Sequence, residues 1–335
     1  SSRFMNSLIT RPMTLPLRPS KITSTCWFSL TMRRWRTVSS AARSSEIVAA
    51  MPYATTAKVK SISSAGRGVL GKIADIVAES GRRVAAAHGF SVEDKGGREN
   101  IVTSADLENE RFLKSRLTGL IPGSSFVGEE GDEAPILEEG YTWIVDPIDG
   151  TMNFSRGIPE VGVSVALFKD GSPHIGVVCN PFSGRMWTSE IGRGAWRDGV
   201  PVHVSDRPLE DCILSTAWCC YRKELAPRVF EATERLYPRI NDLRRIGTAA
   251  VELSMLAEGA VDMYFEIRLS PWDHAAALTC VKAAGGVFHG IEDDVWFDRP
   301  SPVLAANSQG NLDELLDVVS DVFGGRTPYR SGSET

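Results

Sequence analysis

The sequence has few of the residues that hold transition metals and disulfide bonds. It has six cysteines and five histidines in 335 residues, and no two cysteines stand in a C-x-x-C pair. Paired cysteines with nearby histidines are typical of zinc sites, and a dense cysteine pattern is typical of small secreted scaffolds. We therefore predict reduced, mostly buried thiols, with neither a zinc centre nor a disulfide framework.

The sequence also lacks a hydrophobic run of the roughly 20 residues that a membrane-spanning helix requires. Apolar residues make up 42% of the chain and charged residues 24%, which is ordinary for a globular protein in water. A length of 335 residues allows one large domain or two modest ones. We expect no membrane association.

Acidic residues are almost missing from the first 60 positions, where ten Lys and Arg accompany the single acid Glu46. Such an Arg-, Ser- and Thr-rich stretch is typical of a mitochondrial or plastid targeting segment. The alternatives are a non-native extension, with Met51 as the true start, and an arm that binds nucleic acid or a partner. We expect residues 1–60 to be disordered and outside the catalytic fold, and the protein to be cytoplasmic unless this stretch is a transit peptide.

The remaining residues carry 27 basic and 41 acidic side chains, a net charge of −14. A body this acidic argues against general nucleic-acid binding, which depends on neutralising phosphates with Lys and Arg. A phosphate-bearing small molecule would be compatible with it only if bound cations supplied the missing positive charge.

The stretch TWIVDPIDGTMNF, residues 142–154, ends a buried-looking strand on two aspartates. Asp146 and Asp149 stand three residues apart, and two anions that close repel each other unless a cation lies between them. Gly150 lets the backbone approach a ligand closely, and Gly150 and Thr151 offer N–H groups to an anion at a helix start. Asp-Pro-x-Asp-Gly is also an ordinary turn sequence, so this stretch alone leaves a metal site and a simple turn open.

Other acidic residues also follow predicted strands. Glu129 and Glu130 end the strand SFVG, and Asp273 opens a helix after Pro271-Trp272. Open α/β sheets hold ligands at strand ends, and carboxylates with main-chain carbonyls are the hard oxygen ligands that suit Mg²⁺. Two Mg²⁺ ions held by shared carboxylates can clamp a phosphate and polarise a water. Taken singly, the glutamates fit a solvated loop and the aspartate fits a helix N-cap.

Ser104 is a plausible N-cap of a helix over SADLENERFLKSRLTGL, and WRDGVPVHVS is predicted to form a hairpin on an Asp198-Gly199 turn. The helical and strand periodicities place helices first, then a run of strands, then alternating strands and helices, which predicts layered α/β or α+β architecture with mixed sheets. Five segments together resemble the inositol monophosphatase family of lithium-sensitive, Mg²⁺-dependent phosphatases. The resemblance extends over roughly residues 65–310, and the segments are NIVTSAD, FVGEEG, WIVDPIDGTMNF, RRIGTAAVELSMLAEGAVDMYFE and SPWDHAAALTCVKAAGG.

The resemblance implies a site for two to three Mg²⁺ ions. Glu129, Asp146 and the main-chain carbonyl of Ile148 would hold the first ion. Asp146, Asp149 and Asp273 would hold the second, and a third, weaker ion would also depend on Glu129.

The resemblance also implies roles around these ions. Thr151 and Asp106 would orient the attacking water, although without the family Asp106 would be taken for an exposed acid at a helix start. Glu266 would accept hydrogen bonds from substrate hydroxyls, and Ala249 would contribute its main chain. The remaining positions expected to contact substrate are Asp149, Gly150 and Asp273.

The resemblance implies a layered α-β-α-β-α sandwich of the α/β (α+β) class, with a catalytic domain at 61–325, a flexible tail at 326–335 and a homodimeric assembly. It implies a phosphomonoesterase acting on a small polyol phosphate, first of all myo-inositol 1-phosphate, by direct attack of a metal-activated water and with lithium inhibition. Alternatives are activity on fructose 1,6-bisphosphate, histidinol phosphate or a nucleotide 3′-phosphate, and a regulatory role as a binding partner of RNA polymerase or RNA.

Several positions depart from the family pattern. Asn100 replaces a frequent Asp, and His274 replaces an apolar residue and is interpreted as a surface histidine or one behind the metal ligands. Ala277 replaces a common Gly, and the loop between Glu129 and Asp146 is shorter than in animal members. Met152-Asn153-Phe154 differs from the Lys-Gly-Phe of the adenosine-bisphosphate branch, which argues against a nucleotide substrate. Arg244 or Arg245 could bind phosphate, and surface charge is the preferred interpretation of both.

Overall fold

The computed structural model describes residues 68–97, 100–131, 137, 139–220 and 222–327. The predicted extension at 1–60, all but two residues of the predicted tail at 326–335, and the side chain of Asn100 lie outside the described residues. The boundaries of the predicted catalytic domain therefore stay a prediction.

The described residues form seven α-helices and fourteen strands. In chain order these elements are α1 (Val69–Ala86), β1 (Val92–Gly97), β2 (Asn100–Thr103), α2 (Ser104–Leu120), β3 (Ser125–Gly128), β4 (Tyr141–Asp149), α3 (Thr151–Ser155), β5 (Gly162–Lys169), β6 (Ser172–Cys179), β7 (Met186–Glu190), β8 (Gly194–Arg197), β9 (Val200–Val202), β10 (Ile213–Thr216), α4 (Ala226–Leu236), β11 (Asp242–Arg244), α5 (Ala249–Ala257), β12 (Met263–Leu269), α6 (Pro271–Ala283), β13 (Val287–His289), β14 (Ser301–Ala306) and α7 (Gln309–Phe323).

Two larger sheets and one hairpin account for the described strands. The first sheet has seven strands in the order β3-β4-β5-β6-β7-β8-β9, and all its pairs are antiparallel except β3 with β4. The second has five strands in the order β11-β10-β12-β14-β13 and mixes parallel with antiparallel pairs. Strands β1 and β2 pair as a separate antiparallel hairpin. Mixed sheets were the expectation from the order of elements.

The helices are sorted into three layers around these sheets. One buried cluster joins α1 and α2 to one face of the first sheet. A second cluster places α5 and α6 between the first sheet and the second. A third packs α4 and α7 on the outer face of the second sheet. The predicted α-β-α-β-α sandwich is confirmed.

Strand β4 is buried on both faces and carries two of the aspartates of the site. Trp143 and Val145 point into the cluster under α1 and α2, whereas Ile144 points into the cluster around α5 and α6. A strand covered on both faces must be apolar on both, which explains its continuous hydrophobic run. The antiparallel pairing of β4 with β5 shifts register between Asp146, which faces Ser164, and Asp149, which faces Gly162, so the extra residue of a bulge lies between the two aspartates.

Local signals set several element ends. The hairpin expected at Asp198-Gly199 joins β8 to β9, and both residues have positive φ angles, 53° and 79°. This backbone matches the primed turns that fit the twist of a hairpin. The expected N-cap of α2 at Ser104 is wrong, because Thr103 caps that helix with Asp106 as its capping-box partner. No helix in the described ranges is both long and apolar enough to cross a membrane.

Candidate active site

Asp146 lies within the continuously buried stretch of β4 and is 1% exposed. Its Oδ1 accepts a hydrogen bond of 2.9 Å from the backbone N–H of Ile148, two residues along. Burial raises the pKa of Asp146 well above its usual range, and the nearby charges of Glu129 and Asp149 raise this pKa further. This carboxylate therefore lies where its negative charge is costly without a cation.

Residues at the start of α5 hold Asp149 in place. Its Oδ2 accepts hydrogen bonds from the hydroxyl of Thr248 at 2.5 Å and from the N–H of Ala250 at 2.7 Å. Burial raises the pKa of Asp149 to about 6, although these two hydrogen bonds lower it. One carboxylate oxygen is thus fixed by the protein, and the other is left to face the cavity.

Asp273 lies in the first turn of α6. Pro271 begins the helix, and the carboxylate of Asp273 accepts a 2.7 Å hydrogen bond from the N–H of Ser270 in a capping box. Burial first, then the charges of Asp149 and Glu129, raise the pKa of Asp273 well above its usual range. A proline start and a capping box fix where this helix begins, and so fix the position of the carboxylate.

The three aspartates meet in one cluster. Oxygen atoms of Asp146, Asp149 and Asp273 all lie within 4.8 Å of one another. Three converging carboxylates with raised pKa values form an all-oxygen donor set, which fits Mg²⁺ and does not fit a soft metal. The residues present could therefore hold a magnesium ion, and a cation would offset the repulsion among them.

Glu129 and Ile148 were the other two expected metal ligands. Glu129 follows β3, is half-buried and lines the same cavity as the aspartates. Its backbone N–H donates to the carbonyl of Val145, which ties this loop to β4. The carbonyl of Ile148 accepts a 3.0 Å hydrogen bond from the Thr151 hydroxyl. Both residues are at the site, and their part in metal binding stays a prediction.

Thr151 begins the short helix α3 directly after Gly150, whose φ of +88° few other residues adopt. The Thr151 hydroxyl lies 3.2 Å from Oδ1 of Asp106, and the other oxygen of Asp106 accepts hydrogen bonds from the N–H and hydroxyl of Thr103. Burial raises the pKa of Asp106 to about 6. Asp106 is fully buried, so the interpretation of it as an exposed acid is wrong.

Glu266 and Ala249 line the cavity from the second sheet and from α5. The hydroxyl of Tyr264 donates a 2.8 Å hydrogen bond to Oε2 of Glu266, and burial raises the pKa of Glu266 to about 8. Ala249 is the first residue of α5, next to the Thr248 that holds Asp149. These residues lie in the same cavity of about 190 Å³ as the aspartate cluster.

The sequence of this chain was compared with models of known protein families. The model of the inositol monophosphatase family matches residues 64–321. This chain belongs to the inositol monophosphatase family.

Named relatives of this family member differ in their described roles. It is 31% identical over 238 residues to an inositol-1-monophosphatase of Bacillus subtilis, covering 69% of this chain and 89% of the relative. A fructose-1,6-bisphosphatase/inositol-1-monophosphatase of Thermotoga maritima is 35% identical over 237 residues, with 69% and 87% covered. The Nus factor SuhB of Escherichia coli is 33% identical over 231 residues, with 68% and 86% covered.

A solved structure agrees with the same fold. The extragenic suppressor protein suhB of Bartonella henselae superposes with a TM-score of 0.70 at 29% identity. The superposition covers 75% of this chain and 98% of that one. The family match therefore extends to the arrangement of sheets and helices that brings the three aspartates together.

Two residues of the site were missed by the sequence reasoning. Thr248 holds Asp149, and Glu252 accepts hydrogen bonds from the N–H groups of Ile246, Gly247 and Thr248 at 3.0 to 3.2 Å. The only sequence signal was that Thr248 precedes a helical pattern, as an N-cap does. A buried glutamate inside an apolar helix face, four residues after a loop, is a signal that could have identified Glu252.

Glu252→Gln should lower the free energy of unfolding by roughly 2 to 4 kcal/mol and also lower Mg²⁺ affinity. The carboxylate is 1% exposed, and each of its oxygens accepts two hydrogen bonds, one of them from Ser215 at 2.5 Å. A carboxamide would turn its NH₂ group towards N–H donors, so the loop that carries Thr248 would loosen. Urea unfolding and calorimetric Mg²⁺ titration measure the two effects. Glu234→Gln, on the exposed face of α4, should change neither, and an equally harmless Glu252→Gln would contradict this prediction.

His274 follows the ligand candidate Asp273, and it is fully buried. Its ring packs 5.3 Å from that of Phe297, and neither ring nitrogen has a hydrogen-bond partner in the described structure. The interpretation of His274 as a surface histidine is therefore wrong. Burial alone lowers the pKa of His274 to about 3.

Burial of His274 should make the protein less stable in mild acid. In the unfolded chain this histidine binds a proton near pH 6.5, whereas in the fold it stays neutral down to about pH 3. The unfolded state binds more protons between these values, so the free energy of unfolding falls as the pH falls. Between pH 6.5 and about pH 5 the loss should be about 2 kcal/mol larger in the wild type than in His274→Leu or His274→Met. Urea unfolding of metal-free protein across this range tests it, and parallel pH curves for all three proteins would refute it.

Proposed function

We propose that this protein is a Mg²⁺-dependent phosphomonoesterase that acts on a small polyol phosphate, with myo-inositol 1-phosphate as the first candidate. The observation that carries the proposal is the convergence of three carboxylates, the buried Asp146 and Asp149 and the partly buried Asp273, in a cavity beside the Thr151–Asp106 pair. A cation site and a hydroxyl held by a buried acid are together the components that phosphoryl transfer to water needs. Relatives named as inositol-1-monophosphatases support the same proposal.

Asp146, Asp149 and Asp273 would hold the magnesium, with Glu129 and the carbonyl of Ile148 beside them. Mg²⁺ supplies Lewis-acid chemistry when bound, because it neutralises charge on a phosphoryl group and makes water more acidic. The N–H groups that follow Asp149, at Gly150 and Thr151, begin a helix and favour an anion.

Thr151 and Asp106 would orient the attacking water. The Thr151 hydroxyl can bridge Asp106 and a water, because it lies within hydrogen-bond distance of the carboxylate and also lines the cavity. A carboxylate with a pKa near 6 can accept a proton at neutral pH more readily than an ordinary aspartate. Glu266 and the main chain at Ala249 would bind the hydroxyls of the substrate.

Phosphate release by the full chain, with and without Mg²⁺, tests the proposed function. The panel contains myo-inositol 1-phosphate, fructose 1,6-bisphosphate, histidinol phosphate and adenosine 3′,5′-bisphosphate. We expect Mg²⁺-dependent release, fastest from a polyol or sugar phosphate, inhibited by Li⁺ and declining as the carboxylates protonate at low pH. Folded protein that binds Mg²⁺ and releases phosphate from none of the panel would overturn the proposal.

Relatives named Nus factor SuhB favour a second candidate function, in which the chain acts as a regulatory binding partner of RNA polymerase or RNA. A purely regulatory role does not require a metal-binding cluster, so catalysis would be secondary in this case. Pull-down with Asp149→Asn distinguishes the candidates. Retained capture of polymerase or RNA by a catalytically inactive variant would support the regulatory role, and no capture would remove it.

A further inference from the structure

Among the described residues that line the active-site cavity, one carries a positive charge. That residue is Arg245, whereas six lining residues are acidic: Glu129, Asp146, Asp149, Glu252, Glu266 and Asp273. The cavity already contains enough carboxylates to bind a metal ion, so metal binding does not need this arginine. Its positive charge would repel a metal cation. Arg245 was interpreted from sequence as surface charge, and its position calls for another explanation.

Several contacts fix the conformation of the loop that carries Arg245. Arg245 follows β11, and its side chain covers Gly247, where an added Cβ would collide with Nη1 of the guanidinium. Gly247 has a φ of +98°, and the preceding carbonyl, of Ile246, accepts a 3.0 Å hydrogen bond from Nδ2 of Asn153. The loop is therefore fixed both to α3 and, through its N–H groups, to Glu252.

The neighbouring Arg244 is a natural comparison. Its guanidinium pairs with Asp242 at 2.6 Å, and it does not line the cavity. Arg245 is exposed and takes part in no ion pair or hydrogen bond among the described residues. Of two adjacent arginines, one is paired at the surface, and the other lies unpaired at the cavity.

The guanidinium of Arg245 lies against Gly247, in the loop that leads to Ala249 at the start of α5. Ala249 and Glu266 are the residues proposed to bind the hydroxyls of the substrate, and both line the cavity with Arg245. The positive charge of Arg245 also lowers the pKa of Glu266, against the larger effect of burial. Arg245 is thus placed on the side of the cavity that would take the body of the substrate.

We propose that Arg245 binds a second phosphate group where the substrate carries one, so that a polyol or sugar bisphosphate binds more tightly than the monophosphate with the same carbon skeleton. The inference rests on the proposed phosphatase function and narrows its substrate class. An arginine suits this task because its planar guanidinium presents two parallel N–H donors to a phosphate and keeps its charge at all physiological pH values. An unpaired guanidinium also has no internal partner to give up when the ligand arrives.

Two other roles for Arg245 give different results. If Arg245 contacts the reacting phosphate, its loss weakens the reaction of monophosphates and bisphosphates equally. If Arg245 only offsets the negative charge of the cavity, its loss strengthens Mg²⁺ binding and again treats both substrates alike. The proposed role requires a difference between the two substrate types.

The test uses pairs of substrates that share one carbon skeleton: inositol 1-phosphate with inositol 1,4-bisphosphate, and fructose 1-phosphate with fructose 1,6-bisphosphate. For Arg245→Ala, kcat/KM should fall about 10-fold to 100-fold for the bisphosphates, chiefly through KM, and less than about 3-fold for the monophosphates. Arg245→Lys should recover part of the loss, because it keeps the charge without the paired donors. Arg244→Ala is the matched control and should leave both substrate types unchanged.

Binding of the same four compounds, measured by calorimetry with Ca²⁺ in place of Mg²⁺, gives a readout that does not depend on turnover. Wild type should bind each bisphosphate more tightly than its monophosphate, and Arg245→Ala should remove that preference. Equal losses for both types, or no loss, would overturn the role of Arg245. If wild type releases phosphate from no compound, the proposed function fails, and the binding preference still decides whether Arg245 recognises a second phosphate.

Discussion

Asp149→Asn should reduce phosphate release about 1,000-fold or more while the protein remains folded. The side-chain oxygen that accepts hydrogen bonds from Thr248 and Ala250 can be kept by asparagine, since that position needs an acceptor. The NH₂ group must then face the carboxylates of Asp146 and Asp273, where a donor with partial positive charge replaces a metal ligand. Cation binding is lost although the surrounding structure is kept.

The same substitution should stabilise the metal-free protein. Asp149 has a pKa raised to about 6 in the fold, against a usual 3.8, so its ionisation at neutral pH opposes folding. Removing the charge should raise the free energy of unfolding by roughly 1 to 3 kcal/mol without metal. Added Mg²⁺ should raise the melting temperature of the wild type and not that of the variant.

Kinetics, calorimetric Mg²⁺ titration and thermal unfolding together test this prediction. Asp170→Asn, at an exposed aspartate in the turn between β5 and β6, is the matched control and should leave Mg²⁺ binding unchanged. Full activity in Asp149→Asn would contradict the assignment of the site. Low activity with unchanged Mg²⁺ affinity would contradict the metal-binding role of this carboxylate.

Thr151→Val should lower kcat by about 100-fold to 10,000-fold with little change in Mg²⁺ affinity. Valine keeps the shape of threonine but cannot link Asp106 to a water, because the hydroxyl 3.2 Å from Asp106 is gone. Thr151→Ser retains the hydroxyl and should retain most of the rate.

A double-mutant cycle with Asp106→Asn makes this prediction specific. If Thr151 and Asp106 act as one unit, the loss in the double variant should resemble the larger single loss rather than the product of the two. Single-turnover rates and Mg²⁺ titrations of all four proteins provide the measurement. Independent, multiplying losses would show that the hydrogen-bonded pair does not act together.

The fold was predictable to the level of layers because several independent signals agreed. The apolar run of β4, the helical spacing of α1 and α2 and the Asp198-Gly199 turn each report on local structure. The cap of α2 was misplaced by one residue, since Thr103 and Ser104 are both good caps and only the hydrogen bonds of Asp106 select between them.

The sequence predicted those site residues that belong to a short, recognisable motif. Asp146 and Asp149 stand three apart on one strand end, and Asp273 follows a proline at a helix start, so each could be found along the chain. Thr248 and Arg245 could not be found in this way. Thr248 binds Asp149, which stands 99 positions earlier, and Arg245 acts on Glu266, 21 positions later, so nothing in their immediate neighbours records the contact. Glu252 was missed although its three loop donors stand only four to six positions before it.

The sequence by itself determined the family, the layered fold and the acidic residues that could hold magnesium, because short motifs specify local geometry and a ligand type. Only the tertiary structure decided that His274 is buried, that Glu252 supports the loop behind Asp149, and that Arg245 rather than Arg244 lines the cavity. Burial and pairing are properties of a position in three dimensions. Arg244 and Arg245 cannot be distinguished in the sequence. In the structure Arg244 forms an ion pair with Asp242, whereas Arg245 lines the cavity.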